Sequence, residues 1–552
     1  MKKYLEQKLG EVLKTLPYAR DIRPVFERPK QEQHGDLTTN VSLTLAKAAG
    51  KNPRAVAQEI VAAVNLDPQI VAKVEIAGPG FINFHFAGSF FTGGLTAVLG
   101  EGEKFGRSDE GRGRKTQVEF VSANPTGPLS VGHGRQAAIG DTIATLLEWA
   151  GYEVTREYYY NNAGRQMRKL AESTYARYRQ LFDPSFAFPE DGYQGDYIKD
   201  IAEYLKKEQR EALIGMSAEE ALRVCQEASE RKLFDAIKAV LARIGISFDV
   251  FFNEDSLYTN GAIKEVVGEF RKKDLAYDKD GAVWLRATAL GLDQDRVIVK
   301  SSGEPTYRLP DIAYHREKFR RGFDLIVDIF GADHIATFPD VLAGVKALGY
   351  DTEKVKIVIH QFVTLMRDGQ QVKMSKRAAN FVTLEELIDE VGPDAVRFFF
   401  VMRSVSSHLE FDLNLAKEQT EKNPVYYLQY AHARIAGILR FAESESILKP
   451  GEAARMTGAN STLLKEASEV ALAKVLLEFP DVVRAAGANF EPHWLPTYLG
   501  TAAAAFHRFY HDHRVVTPDK DLSIARLALC RATQIVLANG LKILGISAPD
   551  RM

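Results

Sequence analysis

A multidomain α/β protein, with a parallel-sheet centre between a small mixed module and a helical end, is the fold class this sequence predicts. Three observations predict it. The 552 residues exceed what one hydrophobic core usually supports, which favours roughly three or four domains. Residues 111–415 alternate apolar strand-like runs with helical periods, as a parallel α/β domain does. From 416 to 552 apolar residues recur at three- and four-residue spacing, the pattern of an antiparallel helical bundle.

Residues 1–110 read as a small α/β (α+β) module. A helix over Val41–Ala49 meets Gly50 as its C-terminal stop, and Asn52-Pro53-Arg54 opens another. Val74-Glu75-Ile76 and Phe81–Phe86 read as strands around Pro79-Gly80. The charged, Gly-rich stretch Gly100–Lys115 reads as a linker. In the central block, Gln117–Val121 reads as a strand and Gly132–Ala150 as a helix ended by Gly151. Insertions follow over about 165–300, first helical and charged, then strand-rich through Val283-Trp284-Leu285 and Val297-Ile298-Val299. Leu325–Phe330 and Val355–Ile359 complete the strands, and the C-terminal bundle breaks near Lys449-Pro450-Gly451.

The composition is that of an ordinary globular protein, with 45% hydrophobic and 26% charged residues. Lys plus Arg (71) nearly balance Asp plus Glu (73). That excludes a protein gripping nucleic acid over its whole surface but leaves room for a local basic face. Two cysteines, Cys225 and Cys530, make neither a disulfide framework nor a zinc spacing, so a reducing compartment is expected. Charges run through Met1–Lys8, unlike a signal peptide, and no stretch approaches the ~18 uninterrupted apolar residues of a membrane helix. The expectation is a soluble, cytoplasmic protein with no membrane partner.

Two segments carry chemistry. The first runs from the strand into Ser122-Ala123-Asn124-Pro125-Thr126-Gly127-Pro128-Leu129-Ser130-Val131-Gly132-His133-Gly134 and then a long helix. Prolines and glycines at a strand-to-helix turn say that backbone bends tightly and that something approaches it closely. His133 is delivered to a helix start, where free N–H groups and the positive dipole end favour phosphate, and Ser130 is placed to cap it. Neither a G-x-x-x-x-G-K-[ST] run nor a G-x-G-x-x-G run is present. The second segment is Lys373-Met374-Ser375-Lys376-Arg377, a loop between a strand and the capping box Thr383-Leu384-Glu385-Glu386. Its cations suit charge on a departing pyrophosphate.

Together, Ser130-Val131-Gly132-His133 and Lys373-Met374-Ser375-Lys376-Arg377 resemble the HIGH and KMSKS motifs of class I aminoacyl-tRNA synthetases. Ser130 stands where the first histidine of HIGH would be, and Arg377 where the last serine of KMSKS would be. His34-Gly35-Asp36 to Asn40, Ala77–Asn83, Tyr159–Gln166, Tyr426–Arg434 and Gly545–Met552 are similar to stretches of the arginyl-tRNA synthetase family. The resemblance implies a Rossmann-like catalytic domain with insertions and an all-α anticodon-binding bundle. It also implies ligation of L-arginine to tRNA(Arg) through an arginyl-adenylate, in a monomer.

By that resemblance, His133, Lys373 and Lys376 are catalytic. ATP, with magnesium carried on it and no dedicated protein metal site, would lie on Pro128, Ser130, Gly132, His133, Lys373, Met374, Ser375 and Lys376. Arginine would meet Glu119, Ser122, Asn124, Tyr307, Asp311 and Asp333, beside His334; transfer RNA would meet Asn83, Tyr430, Arg434, Arg508 and Tyr510. A guanidinium needs carboxylates and planar or hydroxylated neighbours, which agrees.

From the residues alone, alternatives stay open. Glu119 also reads as the polar face of an edge strand, and Asp311 as a helix cap. His507–Arg514 mixes cations with aromatics, either for stacking RNA bases or with Phe509 and Tyr510 in a core. Arg316–Arg321 reads as an acceptor-stem contact or a solvated helix face. A catalytically silent RNA-binding paralogue, supported only by Ser130, and a small-molecule nucleotidyltransferase are the competing functions.

Overall fold

The computed structural model describes residues 1–19, 22–29, 31–332, 335, 337–372, 382–457 and 459–552. Helix Lys2–Thr15 opens the chain and buries Leu5, Leu9, Val12 and Leu13, one stripe at helical spacing. It belongs with a three-stranded antiparallel sheet, β1 (Leu37–Thr39), β2 (Val71–Ala77) and β3 (Phe81–Phe86), in the order β1-β3-β2. Helix Val41–Ala49 ends at Gly50 in left-handed backbone, φ 62°. Helix Pro53–Ala63 starts where the Asn52 side chain accepts from Arg54 N–H.

Here one expected RNA contact is corrected. Asn83 lies in β3, the middle strand, and only 3% of it is exposed. It shares its strand face with Phe81, 37% exposed, and the half-buried His85, yet its own side chain is almost wholly covered and offers an RNA little surface.

The expected linker is pinned to the rest of the chain. Helix Gly88–Glu101 packs against helices Ala467–Leu476 and Lys520–Leu544. The Asn539 amide donates to the Gly102 and Phe105 carbonyls at 3.0 Å each.

The central domain is built on five parallel strands: β4 (Lys115–Glu119), β5 (Glu153–Tyr160), β6 (Val250–Asn253), β10 (Leu325–Gly331) and β11 (Val355–His360). Their order is β11-β10-β4-β5-β6, so β4 is central and covered on both sides. The strand stops two residues before the predicted Val121. Val121 and Ser122 take positive φ of 69° and 43°, a turn that ordinary side chains rarely adopt. Helix Val131–Trp149 agrees with expectation to within a residue at each end.

The insertions are a helical unit (Gly164–Gln180, Asp196–Gln209, Ala218–Arg243) and an antiparallel sheet of β7 (Ala276–Lys279), β8 (Ala282–Leu285) and β9 (Arg296–Val299). A last small sheet joins β12 (Val363–Arg367), β13 (Gln370–Gln371) and β14 (Leu409–Asp412). Residues from Pro424 on form helices Pro424–Ser444, Ala467–Leu476, Phe479–Asn489, Trp494–Asp512 and Lys520–Leu544. The last is long and apolar enough to span a membrane, but 83% of its most apolar window is buried by its neighbours, as befits a bundle core.

Candidate active site

At the C-terminal edge of the sheet, β4 gives way to the turn that ends at Ser130. Ser130 caps helix Val131–Trp149, its Oγ accepting from His133 N–H, and His133 Nδ1 accepts from Ser130 N–H at 3.1 Å. That bond leaves a neutral imidazole with its proton on Nε2, a donor beside the free N–H groups of the helix start. Pro128 and Gly132 are half-buried in this turn.

The glycine that sterics demand is Gly134. A Cβ there would lie 2.6 Å from Leu384 Cδ1 and 2.9 Å from Phe400 Cε2. Gly134→Ala is therefore expected to cost about 1–3 kcal/mol by overpacking and to push helix Leu384–Val391 off the turn. Calorimetric melting should show the loss, and adenylate formation should fall further than melting alone explains.

Lys373, Met374, Ser375, Lys376 and Arg377 lie outside the described residues, as do Asp333 and His334. The chain on either side is placed, however. Val372 N–H bonds to Leu365 O at 2.9 Å, Thr383 pairs with Ser130 in a β-bridge, and Leu384 N–H bonds to Leu129 O at 2.8 Å. Thr383 also makes the predicted capping box with Glu386. The chain six and seven residues beyond the second segment is thus joined to the first by backbone hydrogen bonds.

Beside this turn lies a concentration of acid. Strand register sets Asp328 of β10, Glu119 of β4 and Glu157 of β5 side by side, each at most 4% exposed. Helix Arg308–Arg320 lies over them and supplies the counter-charges. Lys318 Nζ is 2.6 Å from both Glu119 Oε2 and Asp328 Oδ1. His315 Nε2 meets Asp328 Oδ2 at 2.9 Å, while its Nδ1 meets the Asp311 carbonyl at 2.8 Å. Just past the helix, Arg321 forks onto Glu157 at 2.6 and 2.8 Å, and Tyr314 OH donates to the same carboxylate. Burial alone would lower the Lys318 ammonium pKa, but Asp328, Glu119 and Glu157 together hold it above its ordinary value.

This arrangement corrects two readings. Glu119 is on the central strand, not an edge. The run Arg316–Arg321 is not a solvated face, since Arg320 alone among its cations is exposed. Arg316 is 1% exposed and bridges Glu265 and Glu269, Lys318 is fully buried, and Arg321 is spent on Glu157.

Two further carboxylates meet no cation among the described residues. Asp311, half-buried in the first turn of helix Arg308–Arg320, has no hydrogen-bonded or ion-paired side-chain partner there. Its pKa is pushed up to about 7, chiefly by withdrawal from water, with Glu119 and Glu254 adding to it against the pull of His315 and Lys318. Glu254, just past the end of β6, accepts from Tyr159 OH at 2.7 Å and Tyr258 OH at 3.2 Å, both neutral donors. Glu254 was missed in sequence, although an acid directly following a parallel strand is at the edge where such sheets bind ligands.

The remaining expected residues frame the space. Ser122 Oγ donates to Glu119 Oε1 at 2.9 Å and accepts from Tyr159 N–H at 3.2 Å. Asn124 is exposed, its Oδ1 held by Asn161 N–H at 2.9 Å. Tyr307 is 52% exposed, with the Arg308 guanidinium 4.7 Å from its ring centre. The site can therefore hold an anion at the helix start and a cation over Asp311 and Glu254.

A second candidate surface lies on the C-terminal bundle. Arg434 stacks 4.5 Å from the Tyr430 ring and 5.4 Å from that of Tyr510, and its guanidinium bonds to Tyr430 OH. His507 stacks between Tyr427 and Tyr430. Burial, aided by Arg434, lowers its pKa and favours the neutral ring. Phe509 is in the core, whereas Tyr510 and Arg508 are exposed. Arg434, Phe441, Tyr510 and His513 line an open groove of about 710 Å³.

Known proteins resemble three stretches of the chain. Residues 94–401 match the family model described as the class I (R) tRNA synthetase catalytic domain, which places the chain among class I aminoacyl-tRNA synthetases. Residues 2–86 match the arginyl tRNA synthetase N-terminal domain, and residues 428–552 the DALR anticodon-binding domain. An arginine–tRNA ligase of Desulfotalea psychrophila is 53% identical over 526 residues, 95% of this chain and 94% of its own. One from Salinibacter ruber is 46% identical over the whole of both chains. A crystal structure of a putative arginyl-tRNA synthetase from Campylobacter jejuni superposes with a TM-score of 0.77 at 30% identity, over 84% of this chain and all of that one. The chain belongs to the arginyl-tRNA synthetase family.

Proposed function

We propose that the protein ligates L-arginine to tRNA(Arg) in two steps. Its work divides among residues 1–110, which contact the tRNA, 111–415, which carry the chemistry, and 416–552, which hold the anticodon. In the first step a carboxylate oxygen of arginine attacks the α-phosphorus of ATP in line. The new C–O–P bond replaces the bond to pyrophosphate, which leaves. In the second step the 2′-hydroxyl of the terminal adenosine attacks the carbonyl of that mixed anhydride, and AMP departs with the electron pair. No covalent nucleophile of the protein is needed; positioning and charge suffice.

The observation that carries this reading is the charge balance beneath helix Arg308–Arg320. Asp328, Glu119 and Glu157 are matched by Lys318, Arg321 and the donors of His315, while Asp311 and Glu254 meet no cation among the described residues. A guanidinium, always charged and rich in donors, answers both. Glu119 and Ser122 then form the floor, Tyr307 a side wall, Asn124 the holder of the substrate's backbone end, and Asp333 a further contact.

His133 Nε2, Ser130 and the N–H groups around Gly132 hold phosphate, with Pro128 shaping the turn. Lys373, Met374, Ser375 and Lys376 act on the leaving group. The family's magnesium would enter as the counter-ion of the triphosphate. The acidic row does not offer it a site, since its oxygens are already engaged by Lys318 and Arg321.

Charging of purified tRNA with each amino acid in turn tests the proposal, together with arginine-dependent pyrophosphate exchange run with and without tRNA. Charging with an amino acid other than arginine, or none at all, overturns it.

The bundle surface leads to a separate expectation. Tyr430, Arg434, Arg508 and Tyr510 offer aromatic and guanidinium planes to unstacked bases, each worth about 1–3 kcal/mol. Arg434→Ala should raise KM for tRNA about tenfold to a hundredfold while leaving KM for arginine and ATP in exchange assays unchanged.

A further inference from the structure

Three carboxylates in one register row, under one helix, are an expensive arrangement. Neighbouring strands of a sheet run about 4.8 Å apart, so Asp328, Glu119 and Glu157 would repel one another or share protons if left alone. The row is met chiefly from one side. Lys318 is fully buried and touches two of its three members, and its ammonium also lies 4.3 Å from the centre of the Tyr314 ring. Arg321 serves the third.

Glu119 is therefore held at both oxygens, Oε2 by Lys318 and Oε1 by Ser122. Ser122 is one of the two residues in left-handed backbone at the end of β4. Its Oγ also receives Tyr159 N–H, the neighbour of the ring that donates to Glu254. A chain of contacts thus runs from Lys318 through Glu119 and Ser122 to the turn that carries Asn124, and across to the Tyr159–Glu254 pair.

We infer that Lys318 is a positioning residue of the arginine pocket, a built-in cation that neutralises Glu119 and Asp328. It holds the Ser122 turn in place, so that among the described residues Asp311 and Glu254 remain to receive the substrate's charge. The inference rests on the pocket assignment made above and adds to it the residue that sets the pocket's net charge. Lys318 touches no reacting atom. Its effect reaches arginine through Glu119 and the turn that Ser122 carries.

The test is arginine- and ATP-dependent pyrophosphate exchange in the presence of tRNA, on the full-length protein, with melting temperature recorded for each variant. Wild type must first show arginine-dependent exchange; its absence would overturn the functional assignment, not the role of Lys318. Lys318→Met keeps the unbranched stem, one atom shorter, and removes its charge. It is expected to raise KM for arginine about 30-fold or more while KM for ATP stays within about twofold.

Asp328→Asn in the same background removes one negative charge and puts an amide donor next to Glu119. The double variant should bring KM for arginine back to within about fivefold of wild type, a rescue that a purely space-filling lysine would not produce. A folded Lys318→Met protein with KM for arginine near wild type overturns the inference. So does a parallel rise in both KM values, or a folded double variant no better than the single one. Should Lys318→Met fail to fold, the double variant decides. Restored folding with near-normal KM upholds the role, and a double variant that stays unfolded overturns it, because charge balance would then not suffice.

Discussion

Lys376→Ala is expected to slow single-turnover formation of arginyl-adenylate by two to three orders of magnitude, with the dissociation constant for arginine changed by less than about twofold. The magnitude follows from removing one cation proposed to meet developing charge. Such groups are worth about 10²–10³ in rate, or ~2.7–4 kcal/mol, when they act chiefly in the transition state. The selectivity follows from where the neighbouring chain is anchored. Thr383 pairs with Ser130, and Leu384 bonds to Leu129, so the chain that follows is tied to the turn proposed for phosphate. The acids proposed for arginine sit instead at the ends of β4 and β6 and on helix Arg308–Arg320. A quench-flow measurement at saturating ATP and arginine reads the rate, and equilibrium binding of arginine reads the selectivity. An unchanged adenylate rate would remove Lys376 from the mechanism. Equal losses in rate and in arginine affinity would mean that the lysine supports the pocket as a whole.

The strand-to-helix turn at Ser130 was legible because local chemistry dictates it. Prolines and glycines force the bend, Ser130 caps, and the helix begins within a residue of where the pattern puts it. The acidic row was not legible, because it exists only through register. Asp328, Glu119 and Glu157 lie far apart in the chain and become neighbours when β10, β4 and β5 pair. No local pattern encodes that alignment.

The same blindness explains the cationic run after His315. Six residues rich in charge look solvated when read alone. Their partners, Glu265 for Arg316 and Glu157 for Arg321, are 51 and 164 residues distant. Asn83 failed for a related reason. Alternation does mark the wetter face of β3, where Phe81 is exposed and His85 half-buried, but it does not show that Asn83 between them is covered.

Asp311→Asn should produce the largest change in arginine recognition, raising KM for arginine about a hundredfold or more. Truncating one partner of a desolvated charge pair typically costs about 2–5 kcal/mol. Asparagine keeps the shape and loses both the charge and one acceptor. The wild-type carboxyl also predicts a pH signature with a definite sign. Without a cation its pKa stands at about 7, raised from 3.8 mainly by withdrawal from water. A guanidinium is charged at every accessible pH and favours the ionised carboxylate, so binding below pH 7 must expel a proton. KM for arginine should therefore fall about tenfold per pH unit on going from 5.5 toward 7 and level off above it.

In the arginine-free protein the raised pKa has the reverse consequence. The protonated group favours the fold fully below pH 3.8, and that contribution is lost as pH climbs through about 7. Bound arginine should accordingly raise the melting temperature more at pH 8 than at pH 6. Asp311→Asn should flatten both dependences, since an amide does not titrate. A variant that keeps the wild-type slope of KM against pH would assign the proton to another group in the pocket, and a near-normal KM would place the guanidinium elsewhere.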